Sequence, residues 1–403
     1  MAININNREF NGDRLKSARI IRGMTLTELA EKTGISKQSV SLYENNKNVP
    51  DYTRVISMAR VLEFPMDFFF GKDKHPALTE TTYFRSQASA TKKDRQAQSA
   101  KLELIARMYE VLNNYIEFPY FNDPKIEFNG YESAIDNTSE DAIREIEEAA
   151  AKVRRCWGIE DGPIVDLQYL LEQNGVLVTG FKTDGDGIDA FSQRTVIDGE
   201  SIYLIGIDLG RNNSHCRIRF DMGHELGHIV LHPWSEDIDA LSKDDFKNRE
   251  RQANMFASAL LLPAESFGRD ISSYPTDFNY YVYLKKKWGV SISAMLMRSC
   301  QLKYIHENQY TYLMRQLSKN GGRINEPGDT PYIMNESIFQ NAIEMLFDNN
   351  ILTPSTLLQD FKNNGVSLYP HDIEQLLHLN KGTLDTGEGK QTPLIQLKLV
   401  KDS

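Results

Sequence analysis

The first 71 residues are a series of short helical patterns, in which apolar residues recur every three or four positions between polar turns. Helices are predicted over residues 11–23, 25–34, 36–45, 51–62 and 66–71. Thr25 and Glu28 have the spacing of a capping box, and Gly34 ends the second helix. The expected core positions around the third helix are Ile35, Val40 and one of Leu42 or Tyr43. The pattern therefore predicts a five-helix unit.

The remainder of the chain is also mainly helical, with one clear strand. Residues 201–207 form a short β-branched and aromatic run that predicts a buried strand. Helical patterns occur at residues 91–115, 138–157, 218–232, 249–263, 338–346, 355–363 and 370–377. Residues 118–137 and 235–245 are predicted as loops, and residues 384–403 as a final strand or tail. We therefore expect a multidomain protein that is mainly α with a small β-sheet.

Two of the N-terminal helices, residues 25–34 and 36–45, have the arrangement of a helix-turn-helix, because a tight turn containing Gly34 joins them. In this motif the second helix enters the major groove of DNA. Near its start, the polar positions are Lys37, Gln38, Ser39 and Ser41. The Gln38 amide can read adenine bidentately, and the other three side chains can contact bases or phosphates. The alternative interpretation is a small helical domain for protein interaction.

The distribution of charge favours DNA binding at this end of the chain. Residues 1–72 contain 11 basic and 8 acidic residues, a net charge of +3, whereas the remainder contains 35 basic and 48 acidic residues, a net charge of −13. The only positive block of a chain with net charge −10 therefore coincides with the helix-turn-helix. Because the excess is small, we expect affinity to depend also on a homodimer.

Composition is that of an ordinary non-membrane protein. The length of 403 residues predicts two to four domains, and a content of 40% hydrophobic and 25% charged residues is ordinary for a soluble protein. The sequence contains no apolar run approaching the ~18 residues of a membrane span, and its first residues lack the apolar core of a signal peptide. The three cysteines are widely spaced and odd in number, which indicates reduced thiols. We therefore expect a cytoplasmic protein with no membrane partner.

Residues 224–228 form an HExxH motif within the helical pattern of residues 218–232. His224 and His228 are one helical turn apart, so their imidazoles can converge on one zinc ion. Glu225 lies about 100° around the helix from His224, where its carboxylate can reach a water activated by the metal. The strand at residues 201–207 precedes this helix, and a strand edge in that position can hold an extended peptide by main-chain pairing.

A catalytic zinc ion typically has three protein ligands, so one further ligand must lie outside the motif. His232 is excluded as that ligand, because eight residues of helix span ~12 Å whereas zinc–nitrogen bonds are ~2 Å. We expect His232 to lie at the helix end or behind the ligands. Among the acidic residues, Glu250 is the best candidate because it belongs to the helical pattern of residues 249–263, whose next turn contains Asn254. The acidic residues of the predicted loop are Asp237, Asp239, Asp244 and Asp245, and solvent exposure explains them more simply.

Residues 217–263 resemble the ImmA/IrrE family of zinc metallopeptidases, in which the HExxH helix is followed by a Glu-x-x-Ala-Asn-x-Phe-Ala segment, here residues 250–257. Further matches extend the resemblance to roughly residues 140–330, at residues 162–164, 170–175, 189–192, 288–291, 294–298 and 326–329. The resemblance implies one Zn²⁺ per chain held by His224, His228 and Glu250, with Glu225 as the general base. Thermolysin-like enzymes have Asp at the position of Asn254, whose amide can still bond a ligand histidine without adding charge.

Residues 10–71 resemble the Xre/Cro-like repressor DNA-binding domain. The chain is accordingly predicted to comprise a helix-turn-helix domain (1–72), a helical connector (73–137), a zincin-like α+β metallopeptidase domain (138–330) and a helical C-terminal domain for dimerisation or sensing (331–403). The connector helix is expected either to pack on a neighbouring domain or to dimerise.

The combination predicts a DNA-binding transcriptional regulator, with operator DNA as one partner and a zinc-dependent endopeptidase domain. The family resemblance implies that the protein substrate is a partner such as a repressor or antitoxin, cleaved in a stress, phage or mobile-element response. Two alternatives remain: a sensor with a metallopeptidase fold that hydrolyses nothing, and an antitoxin or defence component that acts by binding its partner. For stabilising the oxyanion, Tyr280, Tyr281 and Tyr283 are candidates among which the sequence does not choose.

Overall fold

Helices dominate the computed structural model, which describes residues 4–5, 8–71, 78–84, 92–128, 140–181, 190–197, 199–210, 214–234, 241–322 and 325–386. The prediction of a mainly helical chain with a small sheet is confirmed. Across these ranges, no helix combines the length and apolar character needed to span a membrane.

The N-terminal region contains four α-helices, preceded by a two-stranded ribbon and followed by a 3-10 helix. The ribbon is β1 (Asn4–Ile5) and β2 (Arg8–Glu9). The helices are α1 (Gly12–Ile21), α2 (Leu26–Thr33), α3 (Lys37–Glu44) and α4 (Tyr52–Leu62), and the 3-10 helix is Met66–Phe69. The predicted fifth helix is therefore a single tight turn. Its phenylalanines pack inward, with Phe68 and Phe69 both buried.

The boundaries of α2 and α3 follow from local hydrogen bonds. Thr25 and Glu28 form the predicted capping box, in which each side chain bonds the other residue's backbone N–H. These bonds hold the pKa of Glu28 down to about 2. Gly34 has φ +70°, the left-handed conformation that ends a helix without strain in glycine. Of the predicted core positions, Ile35, Val40 and Tyr43 are buried, whereas Leu42 is only partly so.

The connector is not purely helical, in contrast to the prediction. It contains β3 (Leu78–Phe84) followed by the long helix α5 (Lys92–Asn113). β3 is a strand because it pairs with a distant part of the chain, which local periodicity cannot reveal. Helix α5 packs along α1, and Lys93 near its start pairs with Glu28. This helix therefore packs on the helix-turn-helix, which is one of its two predicted roles.

The metallopeptidase-like region surrounds a four-stranded sheet with the strand order β3-β5-β6-β4. Three of the strands belong to this region: β4 (Val176–Phe181), β5 (Ala190–Ile197) and β6 (Glu200–Asp208). β6 pairs in parallel with β4 and antiparallel with β5. The predicted strand at residues 201–207 is therefore central. It has no open edge to hold a peptide, so that part of the prediction is wrong.

Eight helices pack around this sheet, and their residues share a continuous apolar core. They are α6 (Glu140–Cys156), α7 (Leu167–Gln173), α8 (His215–Leu231), α9 (Lys243–Leu261), α10 (Ala264–Ile271), α11 (Phe278–Trp288), α12 (Ile292–Gln301) and α13 (Glu307–Lys319). Helix α9 begins six residues before the predicted start, at Lys243. Ser242 caps it by accepting from the Asp245 N–H, and Asp244 and Asp245 occupy its first turn, where negative charge favours a helix.

Buried cations connect the loops of this region to its helices. Arg219 donates to the carbonyls of Ile164 and Val165, at 2.5 Å and 2.9 Å. Lys285 forms ion pairs with Glu326 at 3.1 Å and with Asp329 at 3.0 Å. The segments at residues 162–164 and 326–329 are therefore fixed in place by Arg219 and Lys285. Both cations are buried, and leaving either without a partner would be strongly destabilising.

The C-terminal helices α14 (Ile338–Asp348), α15 (Pro354–Asn363) and α16 (Pro370–Leu376) share an apolar core with the helix-turn-helix and α5. Arg22, the C-cap of α1, reaches Asp372 of α16 at 3.2 Å, and Lys362 pairs with Asp67. The hydroxyl of Thr179 on β4 donates to the Leu376 carbonyl at 2.6 Å. These helices thus contact both other parts of the protein. Residues 387–403 of the predicted final strand or tail lie outside the described residues.

Candidate metal centre and DNA-binding surface

Close packing of α8 on α9 brings the HExxH motif against Glu250. A Cβ at Gly227 would lie 3.1 Å from Ala253 Cα and 3.2 Å from Phe256 Cδ1, so a larger residue would push the helices apart. The side chains of His224, Glu225 and His228 are fully buried between these helices and the sheet, and the side chain of Glu250 is 16% exposed. Gly227 therefore sets the distance at which α9 can supply a third donor.

The structure brings His224, His228 and Glu250 together as a group with one ligand atom each within 4.8 Å of the others. The two Nε2 atoms are 3.0 Å apart. Glu250 places Oε2 3.4 Å from His224 Nε2 and Oε1 3.2 Å from His228 Nε2. Two ligands bound ~2.05 Å from one ion at the tetrahedral angle lie about 3.3 Å apart. The three donors therefore already have the separations of a tetrahedral site.

Asn254 determines which nitrogen of His224 is protonated. The amide Nδ2 of Asn254 donates to the Glu250 carbonyl at 2.7 Å, which turns its Oδ1 toward His224 Nδ1 at 3.2 Å. Because Oδ1 can only accept, Nδ1 of His224 carries the proton. The lone pair of Nε2 in a neutral imidazole then points toward Glu250.

His228 is oriented in the same way by a chain of two contacts. His232 Nε2 lies 3.0 Å from Gln252 Oε1, an acceptor, and His232 Nδ1 lies 3.0 Å from His228 Nδ1. Complete burial lowers the pKa of His232 far below its usual value, so this ring is neutral and its Nδ1 accepts. The proton between the two rings is therefore on His228 Nδ1, and the His228 Nε2 lone pair faces Glu250 and His224. His232 itself follows the last residue of α8 as its C-cap.

These assignments leave three acceptors facing one another. The two Nε2 lone pairs and the carboxylate converge at 3.0–3.4 Å, and the buried Oε1 of Glu250 accepts no hydrogen bond from the described residues. Acceptors held this close repel each other unless a cation lies between them. Two imidazoles and one carboxylate are also a donor set typical of catalytic zinc. The residues present therefore fit a zinc ion.

Glu225 is positioned by the sheet. The hydroxyl of Ser192 on β5 donates to Glu225 Oε2 at 2.6 Å. Ser192 is fully buried, and β5 lies directly against α8. Ser192 belongs to the motif at residues 189–192, whose sequence alone indicates no role for the hydroxyl. Its contact depends on the pairing of β5 with β6, which no local pattern specifies.

Among the residues that the structure describes, no other candidate belongs to this group of ligand atoms. Asp244 is exposed at the start of α9, and Asp237 and Asp239 lie outside the described residues. The hydroxyls of Tyr280 and Tyr281 donate to the backbone carbonyls of Asp270 and Pro275. Tyr283 is 62% exposed and stacks on Tyr280. None of these contacts directs a tyrosine hydroxyl at the metal centre.

The N-terminal half of α3 presents a polar surface. Lys37 and Gln38 are exposed, whereas Ser39 and Ser41 are half-buried. The hydroxyl of Ser39 lies 2.8 Å from that of the cap residue Ser36, so it already has a local partner. On α1, Arg19 forms a bidentate pair with the buried Glu44, at 2.5 Å and 2.8 Å. Part of the positive charge of this region therefore holds the fold together.

The fold and the site define the class of protein: a helix-turn-helix DNA-binding domain joined to a metallopeptidase-like domain. Comparison with models of known protein families identifies the same two domains. Residues 15–69 match a helix-turn-helix model, and residues 172–299 match the IrrE N-terminal-like domain of the M78 peptidases. The chain therefore carries both domains that the sequence predicted.

One bacterial transcriptional regulator is similar to a short part of this chain. The HTH-type transcriptional regulator ImmR of Bacillus subtilis (strain 168) is 34% identical over 70 residues, which are 17% of this chain and 55% of that protein. The chain thus spans little more than half the length of this relative.

Proposed function

We propose that this protein is a DNA-binding regulator whose second domain is a zinc-dependent endopeptidase acting on a partner protein such as a repressor or antitoxin. The observation that carries the proposal is the convergence of three acceptor atoms, from His224, His228 and Glu250, with the buried Glu225 next to His224 on the same helix. This is the arrangement that metal-assisted hydrolysis of a peptide bond requires.

The reaction assigned to this site is hydrolysis with Glu225 as general base and then general acid. Zinc held by the three ligands would supply Lewis acidity, which makes water a nucleophile near neutral pH. The Glu225 carboxylate accepts a proton from the attacking water and returns it to the nitrogen of the leaving amine. Ser192 donates to one carboxylate oxygen and so orients the other toward the water. Burial of Glu225 excludes bulk water, which would otherwise compete for this proton.

The regulatory part of the proposal depends on the helix-turn-helix. Exposed Lys37 and Gln38 on α3 are available to operator DNA, and the similarity to a transcriptional regulator supports that partner. The net charge of residues 1–72 is only +3, so two copies bound to adjacent half-sites would strengthen an otherwise weak contact. We therefore include a homodimer in the proposal.

One observation favours a second candidate function, a sensor that binds a partner and does not hydrolyse it. His224, Glu225 and His228 have no exposed surface, so a peptide bond cannot reach them without a rearrangement. A sensor would use the same fold to bind a partner and pass the change to the DNA-binding domain, and it would not need Glu225 as a base.

The substitution Glu225→Gln distinguishes the two functions. Because Glu225 is not among the metal ligands, the variant should keep about one zinc ion per chain, yet its amide cannot accept a proton. Hydrolysis of an unfolded protein such as β-casein by the zinc-loaded chain should fall by ~10²-fold or more. Glu265→Gln, an exposed glutamate on α10, is the matched control and should hydrolyse normally. Full promoter regulation by Glu225→Gln in cells would instead support the sensor.

A further inference from the structure

The strand β5 carries the main chain past the catalytic carboxylate. Ser192 lies near its start and bonds Glu225, and the inner side of β5 pairs with β6 from Ala190 to Ile197. Its outer side is therefore a second row of backbone N–H and C=O groups, on the strand whose Ser192 contacts Glu225. An extended peptide held at this edge by main-chain hydrogen bonds would pass beside Glu225.

That edge is already paired. β3 runs antiparallel along β5, with Phe84 opposite Phe191, Tyr83 opposite Ser192 and Thr82 opposite Gln193. The pairing is interrupted between Thr79 and Thr82 and resumes with Thr79 opposite Thr195. β3 comes from outside the metallopeptidase-like region, because it lies between the helix-turn-helix and α5. More than 100 residues separate it along the chain from β5.

We propose that β3 is an inhibitory strand, which occupies the edge of β5 where an extended segment of the protein substrate would bind. The proposal rests on the endopeptidase function proposed above. One strand edge has a single row of donors and acceptors, so β3 and a second peptide cannot pair with it at the same place. As part of the same chain, β3 competes at an effective concentration near the millimolar range. The interrupted register reduces the number of paired residues and makes displacement by a longer partner segment feasible.

Because main-chain bonds hold β3, the test must remove backbone N–H groups while a control removes only side chains. The variant Thr82→Pro/Tyr83→Pro removes two consecutive N–H groups, one of which faces β5, since alternate residues of a strand point to opposite sides. The control Thr82→Ala/Tyr83→Ala keeps both N–H groups. A third chain, with residues 78–84 replaced by a Gly/Ser sequence of equal length, gives the same comparison if the prolines impair folding.

The first measurement does not depend on catalysis. A fluorescent peptide with the sequence of residues 78–84 is mixed with each full-length variant, and its binding is followed by fluorescence anisotropy. A metal chelator is present so that no metal-dependent hydrolysis occurs. The proline and Gly/Ser chains should bind this peptide at least about tenfold more tightly than the wild type and the alanine control, a difference of ~1.4 kcal/mol. Equal affinity in all four chains would overturn the proposal.

The second measurement is hydrolysis of β-casein by the zinc-loaded chains. Faster hydrolysis by the proline variant than by the alanine control supports inhibition by β3, whereas equal, measurable rates in both overturn it. Cleavage of the wild-type chain within residues 78–84, detected by mass spectrometry, would also overturn it, because β3 would then be a substrate. If no chain hydrolyses casein while the peptide still binds the proline variant more tightly, the endopeptidase proposal fails and the occupancy of the edge by β3 stands.

Discussion

Removing Glu250 tests the proposed metal centre most directly, because this residue would supply one of the three ligand atoms and the only charge among them. In Glu250→Ala, two neutral imidazoles remain to hold a divalent cation. We compare it with Asn254→Ala, which keeps all three ligands and removes only the acceptor that fixes His224 Nδ1 at 3.2 Å. The two changes lie one helical turn apart on α9, so they share the same packing environment.

The expected magnitudes follow from the geometry. The ligand atoms are 3.0–3.4 Å apart, close to the spacing of about 3.3 Å in a tetrahedral site, so zinc binding needs little rearrangement of these side chains. Loss of an orienting partner such as Asn254 typically weakens metal affinity by ~10–100-fold. Loss of a ligand should exceed that range, so we expect at least ~100-fold for Glu250→Ala, or about 2.7 kcal/mol.

The assay is a zinc titration against a colorimetric chelator of known affinity, with Glu265→Gln as the matched surface control. The expected order of zinc affinity is wild type and Glu265→Gln, then Asn254→Ala, then Glu250→Ala. Wild-type affinity in Glu250→Ala would refute the ligand assignment and move the third ligand elsewhere in the chain. Equal losses in both variants would refute the inference that Asn254 acts only by orienting His224.

Three further predictions concern other parts of the molecule. Gln38→Ala should weaken operator binding by ~1–3 kcal/mol and relax specificity at one base pair, whereas Lys37→Ala should weaken all DNA sequences alike; electrophoretic mobility shifts at fixed salt measure both. Burial raises the pKa of Glu172 to about 8, so the folded chain loses stability as pH rises from about 4.5 to 8. Over this pH range, the free energy of unfolding of Glu172→Gln should fall by a few kcal/mol less than that of the wild type, as measured by urea unfolding at several pH values. An unchanged pH dependence would contradict the raised pKa of Glu172. Ser192→Ala should retain zinc and lower the turnover of casein, because Glu225 loses its orienting bond; unchanged turnover would remove Ser192 from the mechanism.

Local chemistry in the sequence predicted the boundaries of α2 and two of the three proposed ligands. Thr25, Glu28 and Gly34 specify a helix start and end through bonds and torsion angles that involve only a few neighbouring residues. His224 and His228 face the same side because the helical repeat puts residues four apart on one face, whatever surrounds the helix. Glu250 was predicted on similar grounds, since the pattern of α9 placed it on a packed helix.

The register between distant segments was beyond the reach of the sequence. Only the packed structure shows that Gly227 faces α9 and that a Cβ there would lie 3.1 Å from Ala253 Cα. Whether Ser192 meets Glu225 depends on the neighbours of β5, because the same alternating strand can pair with several partners. The strand at residues 201–207 was predicted correctly, yet its place in the middle of the sheet was not.

The pairing of β3 is the clearest case of a feature that tertiary structure alone decides. Residues 78–84 form a strand because the edge of β5 offers hydrogen-bond partners, and that edge lies far away in the sequence. The backbone of a strand bonds to another segment of the chain, whereas the backbone of a helix bonds within the helix. The tendency of a residue to form a strand therefore depends on tertiary context more than its tendency to form a helix. The proposed metal ligands could thus be predicted from residues close together in the chain, whereas the strand that pairs beside Ser192 is brought there by a contact between distant ones.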